Sequence, residues 1–540
     1  VSPDTETVIE HFREIFLWPF FFDGAITESD DANSRFDMMI EAGSWQPEND
    51  WYQRDYHKKG LNGSRSDKTA YGEFVYFQPY VQRFLYQVGG PMRVWRRDDV
   101  ESIHVKLTGL TGAKSKGTSI TCDVEQLWLF QFKLGNADSG LSMLAFELKI
   151  QQPQPISVVE NFLDQMRRVY PPYWENQKLG RFPEKITIVQ SDGTHHSFTS
   201  KEHTPLIRTQ NNLRLPPISD HWRWFLDRGK INNLEKYLRQ IEDERASTMA
   251  FLSTANPRQL TRGDFVRLCF ADDAGNSHTL PYSTTILSDF EARYCYDRFW
   301  ETDIDTRPES SWMSTRILNC GYAFTLCGSA GDKSFYLNAE SGALSHFRNH
   351  YFMIALIAHF QRATLLLLSD RLSRVISLTD ESQLHEKAKM TLYQLIDFTD
   401  RYWFENISTQ VQPQELYAQW RHHLKLDTLY QQVKDEAQLL SNYLNTQLSE
   451  KRIKAARQET WAINTLTMLG AAWALITLLH DFVLSRWFIK IDLPIWGSSL
   501  ILLLLVALSF ITIYQIRTKV KRISIPLRKI FKSNCKSNNY

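Results

Sequence analysis

Trp461–Leu479 reads WAINTLTMLGAAWALITLL, and Trp496–Ile516 reads WGSSLILLLLVALSFITIYQI; neither run holds a charged residue. Each is about the length that crosses a ~30 Å hydrocarbon layer at ~1.5 Å per residue. Two such runs in tandem argue for two membrane crossings rather than two buried helices of a soluble protein. Lys451, Arg452, Lys454 and Arg457 precede the first run, and Arg517, Lys519, Lys521, Arg522, Arg528, Lys529, Lys532 and Lys536 follow the second. The intervening loop, 480–495, carries only Arg486 and Lys490 against Asp481 and Asp492. Positive charge stays on the cytoplasmic side. Both termini are therefore expected in the cytoplasm, with the basic tail 517–540 suited to anionic lipid. Trp461, Trp487, Trp496 and Tyr514 stand where interfacial aromatics belong.

Upstream of the first crossing, and through it to Leu479, no proline interrupts the chain after Pro413. One long helix is expected, with Pro413 near its first turn and a stalk over 413–460. Leu426, Leu429, Val433, Ala437, Leu440, Leu444 and Leu448 recur at three- and four-residue steps, the pattern of a seam against neighbouring helices. A bundle of identical stalks about an axis would use such a seam. The region 346–412 also reads as helical. Phe352–Leu368 is apolar enough to resemble a third crossing, but His359, Gln361 and Arg362 stand in its middle. An Arg at a helix centre costs roughly 2.5–3.5 kcal/mol on insertion scales, so this is read as a buried helix of the body. Another helix is expected over Glu381–Ile407, capped by Thr379 or Asp380.

Residues 1–345 read as a mixed α+β (α/β) cytosolic domain, one unit or two with a change near Thr254–Gly263. Residues 1–70 read as irregular, with Ile15–Phe22 (IFLWPFFF) a docking segment broken by Pro19. Strands are expected at Glu73–Tyr86, Met92–Leu107, Thr118–Leu134, Leu141–Gln152, Lys185–Gln190, Phe265–Phe270 and Ile317–Leu326, and helices at Val158–Val169 and Ile218–Glu244. The net charge of +1 gives no field that points to nucleic acid, and no direct nucleic-acid binding is expected. Six cysteines without a CxxC pair fit unpaired thiols in a reducing cytoplasm. Acids precede the short apolar run at the start, so no signal peptide is expected there.

In its architecture, over roughly Glu381–Lys532, the chain resembles the CorA family of divalent-cation transporters. Members join a cytosolic α/β domain through a long stalk helix to two membrane helices and a basic end. They form pentamers whose first membrane helices line the pore. The resemblance implies a homo-oligomer, a bacterial-type inner (plasma) membrane and a divalent cation such as magnesium. The family ends its pore helix with Gly-Met-Asn. Here Leu478-Leu479-His480-Asp481-Phe482 stands instead, so selectivity for hydrated magnesium does not carry over. The large N-terminal body and the missing motif are closer to the CorA-like membrane effectors that accompany type III CRISPR systems. That resemblance implies an antiviral role and a nucleotide-type activator.

For the pore, Asn464, Thr467, Ala471, Ala474 and Leu478 share one helix face. They would supply polar rings, small residues and a hydrophobic gate, with Asp481 as an outer acidic ring. The alternative face is Thr465, Met468, Ala472 and Ile476, and either face can simply pack helices together. For a ligand, Arg93, Arg96 and Arg97 stand beside Trp95 and Gly89-Gly90, and Arg167-Arg168 precede Tyr170, Tyr173 and Trp174. Arginines fork onto phosphate and aromatics stack on bases; the competing reading pairs these arginines with nearby acids such as Asp98 and Asp99. Thr108–Ser119 lacks phosphate-loop spacing. His195-His196 with His203, and His422-His423, lack a partner set that marks a metal site. No nucleophile elbow, HExxH or kinase signature occurs, so no enzyme is expected. A constitutive divalent-cation transporter and a membrane-anchored binding or enzymatic domain without a pore remain the alternatives.

Overall fold

The apolar run Ile15–Phe22 is the centre of a sheet, not a docking segment. The computed structural model describes residues 6–486, except 23–31, 49–50, 52–73, 109–117, 135–136, 171–173, 176–177, 180, 201–207, 211–212, 216, 232–233, 235–236, 277–278 and 301–313. Among the described residues a 14-stranded sheet is built from β1 Val8–Phe22, β2 Gln46–Pro47, β3 Met92–Arg96, β4 Val100–Lys106, β5 Ser119–Leu134, β6 Ala137–Ile150, β7 Gln154–Pro155, β8 Lys185–Gln190, β9 His195–Thr199, β10 Leu238–Gln240, β11 Ser247–Thr254, β12 Cys295–Trp300, β13 Ser314–Asn319 and β14 Ala323–Ser329. The main order is β9-β8-β4-β5-β6-β1-β11-β14-β13-β12. Its ladders are antiparallel except that β11 and β14 run parallel.

Alternate residues of a strand point to opposite faces. On β1, Ile15, Leu17 and Phe21 enter one core, while Phe12, Phe16, Trp18, Phe20 and Phe22 enter another. A strand covered on both faces has no polar side, which is why IFLWPFFF is a continuous apolar run. Pro19 is tolerated because of where it falls. β11 pairs with β1 as far as Leu17↔Ser247, and β10 takes over at Phe20↔Gln240. Pro19 thus has no ladder partner on that side, where a missing N–H costs nothing, and pairs only with Met143 on β6.

The first core holds the helices α6 Ala343–Ile376, α7 Glu381–Arg401, α8 Val411–His423 and the start of α9 Leu426–Arg486. The second holds α1 Ala32–Gly43, α3 Ile156–Met166, α4 Asp220–Asp227 and α5 Arg262–Phe270, numbered with α2 Pro79–Tyr86 in chain order. The body is a mixed α/β sandwich. By internal contacts the chain divides into residues 1–444 and 445–540, so the expected change near Thr254–Gly263 lies inside the first unit.

Several elements differ from expectation, each for a local reason. Glu73–Tyr86 contains a helix, with Pro79 at its first turn. Met92–Leu107 is two strands, β3 and β4. Phe265–Phe270 is helical because Thr261 and Asp264 form a reciprocal capping box. The expected helix Ile218–Glu244 stops at Asp227, where Arg228 (φ 57°) and Gly229 (φ 70°) turn left-handed. The Asp227 carboxylate holds that turn by accepting the N–H groups of Gly229 (2.7 Å) and Ile231 (3.1 Å).

Among the described residues, two helices are long and apolar enough to cross a membrane. The first, α6, is buried in the body, as its central Arg362 required. That guanidinium pairs with Glu242 at 3.0 Å and donates to the Leu424 carbonyl at 2.6 Å. The second is α9. The uninterrupted helix expected from Pro413 is two helices, because Lys425 adopts φ 53° between α8 and α9. The seam residues Leu426, Val433, Ala437, Leu440 and Leu444 are buried in the chain's own core. They are therefore not free to meet a second copy. α9 also runs past the expected end of the crossing at Leu479, since LHDFVLSR holds no breaker. The second crossing 496–516 and the basic tail lie outside the described residues.

Candidate functional site

The Lys425 break creates a cavity of about 1030 Å³ in the body. The left-handed residue ends one helix and starts another, so the last turn of α8 and the first of α9 both present side chains to one space. Arg421, His422 and His423 come from the first, and Asp427 and Thr428 from the second. Opposite them, Arg293 and Tyr294 come from the short helix Phe290–Tyr294, and Cys320 and Tyr322 from the β13–β14 turn.

Glycine fixes how closely that turn approaches. Gly321 has φ +90°, and its N–H is held by the Asn319 side chain at 2.8 Å. The bare Cα lets the turn seat on the end of α8. On the other wall the Tyr294 and His423 rings stack, centroids 4.9 Å apart and planes at 22°. His423 Nε2–H donates to the Arg293 carbonyl at 3.0 Å, which fixes its tautomer. Burial lowers the His423 pKa, this hydrogen bond raises it, and neighbouring His422 lowers it again, so the ring is held neutral.

The cavity combines cationic heads with aromatic faces. Arg421 pairs with Asp427 and lies 4.6 Å over the Trp403 ring. Arg293 pairs with Asp289 at 3.2 Å while half-exposed. Lys425 is exposed and has no ion-pair partner among the described residues. Such a lining suits an anion that carries a planar ring: the rings take its face and the cations its charge.

None of the expected ligand residues lines this cavity. Arg93 is exposed on β3, and Trp95 packs edge-on against Phe36 at 5.0 Å. Arg96 pairs with Glu48 (3.2 Å) and Asp98 (3.1 Å). Arg97 is buried, pairs with Asp99 at 2.9 Å and donates to the Phe225 carbonyl at 2.7 Å. Burial raises the Asp99 pKa, but Arg97 and Arg228 outweigh it and hold the carboxyl at about 2. Arg168 pairs with Asp164 (2.9 Å) and Glu244 (2.8 Å), and buried Arg167 donates to the Phe270 carbonyl at 3.0 Å. These guanidiniums are committed within the fold, apart from Arg93.

His196 bonds Gln190 at 2.9 Å, and among the described residues no group of three or more His, Cys, Asp or Glu stands ready for a metal. His203 and residues 109–117 of the phosphate-loop-like stretch lie outside the described residues. The signals that mark the cavity in sequence are scattered: Arg293-Tyr294, Cys320-Gly321-Tyr322 and His422-His423-Leu424-Lys425. Only the two histidines stood out, and as metal candidates.

On α9, Asn464, Thr467, Ala471, Ala474 and Leu478 are all exposed, as is Met468 of the alternative face. Thr465, Ala472 and Ile476 of that face are half-buried. The Thr467 hydroxyl donates to the Ile463 carbonyl at 2.7 Å, leaving its oxygen outward. Asp481 falls within the helix Leu426–Arg486, with its side chain outside the described residues. Comparison with family models, with curated proteins and with solved structures finds no match.

Proposed function

We propose that the chain is a homo-oligomeric, CorA-like membrane channel or transporter, gated from its cytosolic body. The observation that carries this reading is the state of α9. No residue of its apolar window is buried, and Leu466 is 69%, Trp473 70% and Leu478 68% exposed. A charge-free apolar surface of that extent is untenable in water and is covered at no cost by lipid or by copies of itself. A lone anchor does not need polar Asn464 and Thr467 on one stripe with Ala471 and Ala474. A pore does.

The trigger in this reading is a nucleotide-type anion bound in the cavity at Lys425. Such a ligand acts by binding one arrangement of the α8–α9 junction better than the other. The helix that forms one cavity wall is the same helix that carries the Trp461–Leu478 segment. An antiviral-effector role follows the same resemblance.

Electron microscopy of the detergent-solubilised full chain tests the assembly. A ring, fivefold on this reading, with Trp461–Leu478 around its axis is expected. A monomer or dimer without an axis overturns the pore and leaves an anchored cytosolic domain.

A further inference from the structure

A second cavity of the body, of about 470 Å³, is walled by α2, by the Gly89-Gly90 turn after it, by the end of β5 and by the end of α7. It shares no lining residue with the cavity at Lys425. The Gly89-Gly90 pair, read in sequence beside the β3 arginines, belongs to this cavity, whereas Arg93, Arg96 and Arg97 do not line it. Gly89 takes φ 68°, and a Cβ there would meet nothing within 4 Å, so bare backbone borders the open space. Gly90 closes the turn. Its N–H donates to the Gln87 carbonyl at 2.9 Å, and a Cβ would stand 2.7 Å from that oxygen. The Lys133 N–H donates to the Pro91 carbonyl at 2.8 Å, which ties the end of β5 to the same turn.

Three cations from three elements line the cavity: Arg83 of α2, Lys133 of β5 and Arg401 of α7. Arg401 pairs with Asp397 at 3.1 Å and stays mostly exposed. Arg83 and Lys133 have no ion pair and no side-chain hydrogen bond among the described residues. Exposed Asp400 is the one acid in the described lining. The last turns of α2 and α7 favour Arg83 and Arg401 where they stand, since helix C-termini attract cations. Lys133 lies on a strand and serves no helix end. Like charges gathered about one space repel, and a multivalent anion reverses that cost. The buried rings of Phe84 and Tyr402, centroids 5.6 Å apart, add an apolar floor.

We propose that this cavity binds a small phosphorylated molecule, with Arg83 and Lys133 holding the phosphate and Arg401 adding a third, shared charge. A guanidinium forks onto phosphate oxygens, and an ammonium adds a compact point charge. The volume falls in the range of small-ligand pockets, about 300–1,000 Å³. The site is separate from the trigger cavity, and the proposal does not depend on conduction.

The test titrates the full chain in detergent with sodium pyrophosphate at constant ionic strength, read by calorimetry. Saturable binding is expected, weakened about 10-fold or more by Arg83→Gln and by Lys133→Gln, and less by Arg83→Lys. Both side chains reach solvent, so the variants should melt with the parent. The same binding should persist in Lys425→Gln, which alters only the other cavity. No saturable binding, or binding unchanged in both Arg83→Gln and Lys133→Gln, overturns the proposal. Binding lost only in Lys425→Gln would assign the anion to the trigger cavity and overturn it as well.

Discussion

Gly321 packs its bare Cα against His423: a Cβ in its place would stand 3.0 Å from the His423 Cβ and 3.2 Å from the Leu424 side chain. The β13–β14 turn and the end of α8 are thereby locked together beside the cavity. Gly321→Ala forces both a steric shift and a left-handed alanine at φ +90°. A loss of about 1–3 kcal/mol is expected, read as a lower melting temperature. An unchanged melting temperature would mean that the turn does not seat on the helix.

His350 and His359 are buried in α6, and burial holds both rings down at about 3. An unfolded chain protonates them near 6.5. The folded state therefore gains stability from neutral rings above pH 6.5 and loses it as the pH falls toward 3. The loss is up to roughly 1.4 kcal/mol per pH unit for each ring. Melting followed from pH 7 to pH 4 should show a steep decline that His359→Gln makes shallower.

Glu160 on α3 has the opposite sign. Burial, then the nearby Asp264, raises its carboxyl to about 9, and Arg267 offsets this only in part. A carboxyl whose folded pKa lies above the ordinary value adds stability below that value and loses it as the pH rises toward 9. Glu160→Gln is expected to raise the melting temperature at pH 8 and to leave it nearly unchanged at pH 4. A loss at both would assign Glu160 a specific ion pair.

Membrane insertion of α9 is open to a single substitution. Leu469 is 44% exposed near the middle of the apolar segment. Leu469→Arg costs roughly 2.5–3.5 kcal/mol on insertion scales. The variant should shift toward the alkali-extractable fraction of membranes, whereas Leu469→Phe should not. Equal extraction of both would point to a segment that does not sit in lipid.

The parts of the fold that were readable in sequence are those governed by one local rule. The β5–β6 hairpin follows from β-branched and aromatic runs around Gly135-Asn136, and α6 from a charge too costly for lipid. Asp380 caps α7, accepting the Ser382 N–H at 3.0 Å. What was missed depends on partners distant in sequence. Pro19 reads as a breaker unless the gap between β10 and β11 is known. Lys425 carries no Gly or Pro signal for its left-handed turn, and the cavity it opens draws on residues 293, 320 and 423 from separate elements. The pairing of Arg97 with Asp99 was one of the two readings open in sequence, whereas the Glu244 partner of Arg168 is distant along the chain and shows only in three dimensions. The α5 capping box was present in sequence as Thr261 and Asp264 and outweighs the strand character of the residues after it.

The central claim is that α9 lines a conducting path. Ion flux through liposomes carrying the full-length protein, compared with Asn464→Leu and Met468→Leu variants, tests it most directly. The account predicts flux in the parent protein, a strong change in Asn464→Leu and little change in Met468→Leu. Flux that changes only in Met468→Leu would place the path on the opposite face. No flux from an inserted, oligomeric protein, with or without nucleotide, would contradict the account.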